Sequence, residues 1–179
     1  MARLPLIPET EVPTGMRTAY LRVSQGETSL PTTFQALFAS PGVGRQLAAL
    51  DALVSSQTSL EPWIRLTVAL SVFHEREDQV LWNSFEPLAR QAGVRDAVID
   101  AIAAGTAPRG LLPKEGIWAQ FAIEVLRGQV RDSTWQAVTH LSGDVGAVDL
   151  AFTTSYYEMM VRLNQAFDLG SDAGLPEGA

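Results

Sequence analysis

Cysteine is absent from this chain of 179 residues. That excludes disulfides, thiolate metal sites and any peroxidase chemistry that runs on a thiolate and a resolving thiol. Lysine occurs once, at Lys114, and the net charge is −7. Nucleic-acid binding is therefore not expected, because phosphate neutralisation needs clustered Lys and Arg. The same scarcity leaves no polybasic patch for a membrane surface. No apolar run approaches the roughly 18 residues of a spanning helix. The opening M-A-R-L-P-L-I-P-E-T-E has too short an apolar stretch, and too many prolines and acids, for a signal peptide. The expectation is a soluble, cytoplasmic protein. Also missing are an alternating strand of useful length, a repeat of fixed period and a Gly-rich phosphate loop. Gly42-Val43-Gly44 has no strand before it.

What is present reads as helix, in one domain with 46% apolar residues and length enough for a real core. Pro5, Pro8 and Pro13 make residues 1–13 an extended arm, and Pro13 suits the first turn of a helix. Helical spacing of apolar residues then predicts helices over 14–25, from 32 to the Ser40-Pro41-Gly42 breaker, and over 43–55. A helix opening at Ser59-Leu60-Glu61-Pro62 and running to Phe73 is apolar nearly all round, which suggests a central buried element. The charged run His74–Asp78 interrupts it. Further helices are predicted over 79–92, 95–104 and 114–128. Another is capped near Asp132-Ser133-Thr134, with Ser133 and Gln136 spaced as a capping box. The longest runs from Val145 to Phe167. Residues 105–113 read as a loop and residues 170–179 as a frayed tail. The fold class is all-α.

Among residues that carry chemistry, His74 is one of two histidines and lies beside Glu75, Glu77 and Asp78. An imidazole near carboxylates can serve as general acid or base; the plain alternative is a solvated cluster at a helix end. One histidine with loosely spaced carboxylates is a poor metal site, so no metal is expected. Pro87 should release the Asn83 carbonyl and bend its helix, or break it in two. Tyr156 and Tyr157, with Phe152, Met159 and Met160, form an aromatic and thioether patch that could serve a ligand but reads more readily as core or subunit interface, with the interface favoured. His140, near Asp144, reads as structural.

The segment Arg65–Gly93, R-L-T-V-A-L-S-V-F-H-E-R-E-D-Q-V-L-W-N-S-F-E-P-L-A-R-Q-A-G, resembles the signature of the AhpD-like / carboxymuconolactone decarboxylase family. The resemblance extends to R-L-P-L-I-P at the start, the run at 34–45, A-G-V-R-D-A-V-I-D-A-I at 92–102, and D-S-T-W-Q-A-V at 132–138 with the long helix after it. Arg65, Trp82, Ala89 and Gly93 match the pattern. Leu66, Leu81 and Phe85 stand where the family usually has glutamate, glutamate or cysteine, and histidine. Asp78 stands at the place of the first redox cysteine.

The resemblance implies an AhpD-like helical subunit over 14–169 that forms a homo-oligomer, commonly a trimer or hexamer, with a pocket beside the signature helix. Residues four apart share a helix face, so 81 and 85 should look into one cavity. With Leu81 and Phe85 there, the site is either retuned for an apolar ligand or filled and lost. The enzyme reading is a cofactor-independent decarboxylation, lactone reaction, isomerisation or dehydration of a small organic molecule. His74 would be its acid or base, helped by Glu75 or Asp78. Arg65, Leu66, Leu81, Trp82, Phe85 and Tyr156 would line its pocket. Arg65, lacking an acidic neighbour at 66, would seek Glu61 or Asp78. The other reading is a silent homologue that binds an apolar ligand or serves as an assembly subunit.

Overall fold

A computed structural model describes residues 2–24, 30–105 and 113–169. Among these residues all regular structure is helical. Two short 3-10 turns, Glu9–Glu11 and Thr14–Met16, precede α1 (Arg17–Ser24), α2 (Pro31–Leu37), α3 (Pro41–Ser56), α4 (Pro62–Glu75), α5 (Gln79–Gln91), α6 (Asp96–Ala103), α7 (Pro113–Leu126) and α8 (Asp132–Phe167). Most of the expected loop at 105–113, and all of the expected tail at 170–179, lie outside the described residues. No helix among them is long and apolar enough to cross a membrane.

Local chemistry sets the boundaries. Proline opens α2, α3 and α4 in the first turn, where a missing N–H costs nothing and the fixed φ is already helical. The charged run after α4 is a tight turn. Glu77 sits there at φ 55, and the Asp78 carboxylate accepts the Leu81 N–H at 3.0 Å to cap α5. Pro87 lies inside α5 without ending it, so the helix does not break in two. In α8, Gly143 takes φ 68 and ψ 179 and divides the element into two helical arms; glycine alone reaches such a conformation cheaply. Ser133 and Gln136 form no capping box. The start of α8 is held instead by Glu124, which accepts the Arg131 N–H at 3.0 Å.

The helices gather in two compact units. In the first, residues 1–57 and 162–179, α1, α2 and α3 pack on one another around Val23, Phe34, Phe38 and Val54. Gly44 lets α3 meet Phe38, since a Cβ there would come within 2.8 Å of the ring. The Thr33 hydroxyl and the Asn164 side-chain oxygen make a buried hydrogen bond of 2.6 Å. The N-terminal arm is tied down by Ile7 N–H to the Gln35 carbonyl at 3.2 Å and by Arg3 N–H to the Phe167 carbonyl at 2.9 Å.

The second unit spans Thr58–Val161. Its centre is α4, packed against α5, α6 and α7, with Ile64 and every residue from Leu66 to Phe73 buried. Each large apolar side chain hidden this way contributes about 1.5–3 kcal/mol relative to exposure. Phe73 is the hub: the Phe85 ring meets it edge-on at 4.8 Å and the Tyr157 ring at 5.6 Å. The aromatic patch on α8 is therefore core rather than the favoured subunit interface. Tyr156, Tyr157 and Met160 are buried within the chain itself, and only Phe152 of the expected group is exposed.

Candidate functional site

The signature positions fold into core. Leu66, Leu81 and Phe85 are buried, and Phe85 is wedged edge-on between Phe73 and Tyr157. Leu81 and Phe85 lie one turn apart, and their side chains are packed inside the unit rather than against either of the clefts described below. Tyr156 is buried too, with its ring 5.3 Å from that of Tyr157. Arg65 seeks neither expected carboxylate: its guanidinium donates to the Tyr157 hydroxyl at 3.3 Å. Glu61 accepts the Trp63 indole N–H at 2.7 Å instead, and Asp78 is committed to its helix cap. Trp82 donates to Glu86 at 3.1 Å. Arg90 and Trp82, hydrogen-bonded to Glu86, hold its carboxyl below the usual range against a smaller opposing effect of burial.

Of the residues singled out for catalysis, His74 and Glu75 reach an open cleft of about 310 Å³. It lies between the end of α4, α6 and α7. Val98, Ala101, Ile102, Ala119 and Ile123 make its apolar wall. Its ionisable groups are His74, Glu75, Glu124, Arg127 and Arg131. Glu75 and Arg127 form a two-bond pair at 2.9 and 3.2 Å, and Glu75 raises the Arg127 pKa further above its ordinary value. Glu124 accepts from the Arg131 guanidinium at 2.7 Å, from its backbone N–H, from Gln120 and from Thr134. Burial alone would raise the Glu124 pKa, but those donors together outweigh it and leave the carboxyl below its ordinary value.

That leaves His74. Its imidazole has no hydrogen-bond or ion-pair partner among the described residues, and its ring lies 6.1 Å from that of Trp82. The backbone of Gly105, at φ 59, passes close beside it; a Cβ there would come 3.4 Å from Nε2. On its other side His74 borders a second recess of about 430 Å³, lined with Phe73, Glu77, Asp78, Gln79, Trp82 and Ala103. The half-buried imidazole thus stands between two solvent-connected spaces. No three His, Cys, Asp or Glu side chains group as a metal site among the described residues.

Gln120, Glu124, Arg127 and Arg131 carry no motif. Their only trace in the sequence is that 120, 124 and 127 recur at helical spacing, opposite the apolar residues that mark α7.

No family model matches the chain, and no curated protein is similar to it in sequence. Among solved structures it is similar to the crystal structure of an alkylhydroperoxidase AhpD core, an uncharacterized peroxidase-related protein from Ralstonia eutropha JMP134. The TM-score is 0.77 at 18% identity, over 96% of this chain and 93% of that one. The fold is AhpD-like. At that identity the likeness establishes architecture alone, and the AhpD-like chain described here has no cysteine.

Proposed function

We propose that this AhpD-like chain is a cofactor-independent enzyme that moves a proton on a small organic molecule, with His74 as general acid or base. One observation carries the reading: His74 is the one ionisable side chain of its cleft without a hydrogen-bond or ion-pair partner among the described residues, while both carboxylates and both guanidines there are engaged. A neutral imidazole has one nitrogen to take a proton and another to give one. Glu75 and Asp78, expected as its helpers, act here through structure: Glu75 fixes Arg127 at the rim, and Asp78 fixes the start of α5. The cleft suits a molecule with an apolar body facing Val98, Ile102 and Ile123 and an acidic C–H or O–H near the imidazole. Isomerisation, dehydration and lactone reactions share that proton transfer. The test is deuterium wash-in from heavy water, followed by NMR over a panel of small keto acids, enols and lactones. Enzyme-dependent exchange at a single carbon is the expected outcome. No exchange in any compound would favour the silent homologue.

The silent reading keeps one observation of its own, the filling of positions 66, 81 and 85 by buried apolar side chains. Either reading includes self-association, as a trimer or hexamer. Val145, Val148 and Phe152 on the second arm of α8 are exposed at spacings of three and four residues, which is the pattern of a helix seam. Sedimentation velocity should show an assembly; a monomer at micromolar concentration would refute this part.

A further inference from the structure

The face of α7 turned away from the His74 cleft borders a different recess, of about 340 Å³. Glu61, Trp63 and Ile64 at the start of α4, Lys114 and Trp118 on α7, and Leu141 on α8 line it. It shares no residue with either space beside His74. We propose that this recess is a binding site for a small aromatic carboxylate.

Three features point to that chemistry. First, two of the four tryptophans of the chain, Trp63 and Trp118, line it with Ile64 and Leu141, so its walls are aromatic and apolar. Second, the only lysine of the chain stands at the rim, exposed, and makes no hydrogen bond or ion pair among the described residues. An ammonium near a partly desolvated aromatic recess attracts a carboxylate more strongly than it would in open water. Third, Trp118 is 4% exposed, and its indole N–H has no hydrogen-bond partner. A buried donor without an acceptor is unfavourable. Trp118 lines the recess, so a bound carboxylate that accepts this N–H offsets that cost.

Glu61 is the opposing element, a carboxylate on the same wall. Its Oε2 already accepts the Trp63 indole N–H at 2.7 Å, which holds it in place and leaves Lys114 to meet the ligand. Its charge nevertheless gives the test a sign. An anionic ligand gains when Glu61 is neutralised, whereas a cation held between the indoles and Glu61 loses.

The experiment titrates the full chain with benzoate, benzyl alcohol and benzylammonium, read by tryptophan fluorescence and ligand NMR. Saturable binding of benzoate in preference to the other two is expected. Lys114→Gln, at an exposed position, should weaken it about tenfold, Trp118→Phe should weaken it, and Glu61→Gln should tighten it. His74→Gln should leave it unchanged, which separates this site from the proposed catalytic cleft. Absence of saturable binding, preference for benzylammonium, indifference to Lys114→Gln, or loss of binding in His74→Gln would each overturn the proposal.

Discussion

Phe85→Ala is expected to lower the free energy of unfolding by about 3–5 kcal/mol, measured by urea denaturation. Phe85 is 2% exposed, with its ring edge-on to Phe73 at 4.8 Å and to Tyr157 at 5.6 Å. Truncation would remove the ring from both contacts and leave a hole under the central helix. The surrounding aromatic side chains lie edge-to-face with it, so partial collapse recovers only part of the loss. A residue that merely lined a wet pocket would behave otherwise. Its truncation would cost about 0.5 kcal/mol or less, the range of ordinary surface substitutions. The experiment therefore decides whether position 85 is packing or pocket.

His74→Gln should reduce any wash-in activity by a factor on the order of 100 to 10,000, the usual contribution of a positioned acid or base. Glutamine keeps a polar side chain of comparable reach and cannot exchange a proton near neutrality. The imidazole is half-buried and has no hydrogen-bond or ion-pair partner among the described residues. The variant should therefore unfold at nearly the same urea concentration as the parent. A rate loss with stability kept is the signature of chemistry; a loss of both would mean that His74 braces the end of α4. Activity left intact would transfer the proton step to another group and end the proposal.

The fold was legible because its strongest signals are local. Helix α4 is apolar nearly all round, and a helix of that kind packs at a centre, which is where α5, α6 and α7 contact it. Prolines at first turns and Gly143 mark starts and breaks that depend on only a few residues. Pro87 misled in part, because α5 continues through it as one element. The site was half legible. His74 stood out by rarity and by its place at the end of an apolar helix. The duties of its neighbours did not stand out, since Glu75 is claimed by Arg127, 52 residues away in sequence. Nothing local distinguishes a catalytic carboxylate from one bound to a distant guanidinium. Asp78 carries the marks of both a cap and a reactive group, and its bond to Leu81 N–H places it as the cap. The cleft wall on α7 left no trace beyond a polar face, because only tertiary packing brings that face to His74.

On this proposal, proton chemistry in the chain resides at His74, while the signature positions 81 and 85 serve as core. The most direct measurement follows the imidazole nitrogens of His74 and His140 by NMR as the compound with the fastest deuterium exchange is added. The His74 ring signals should shift with saturation while His140, exposed on the first arm of α8, stays still. Unmoved His74 signals, with the Leu81 methyls and the Phe85 ring shifting instead, would contradict it.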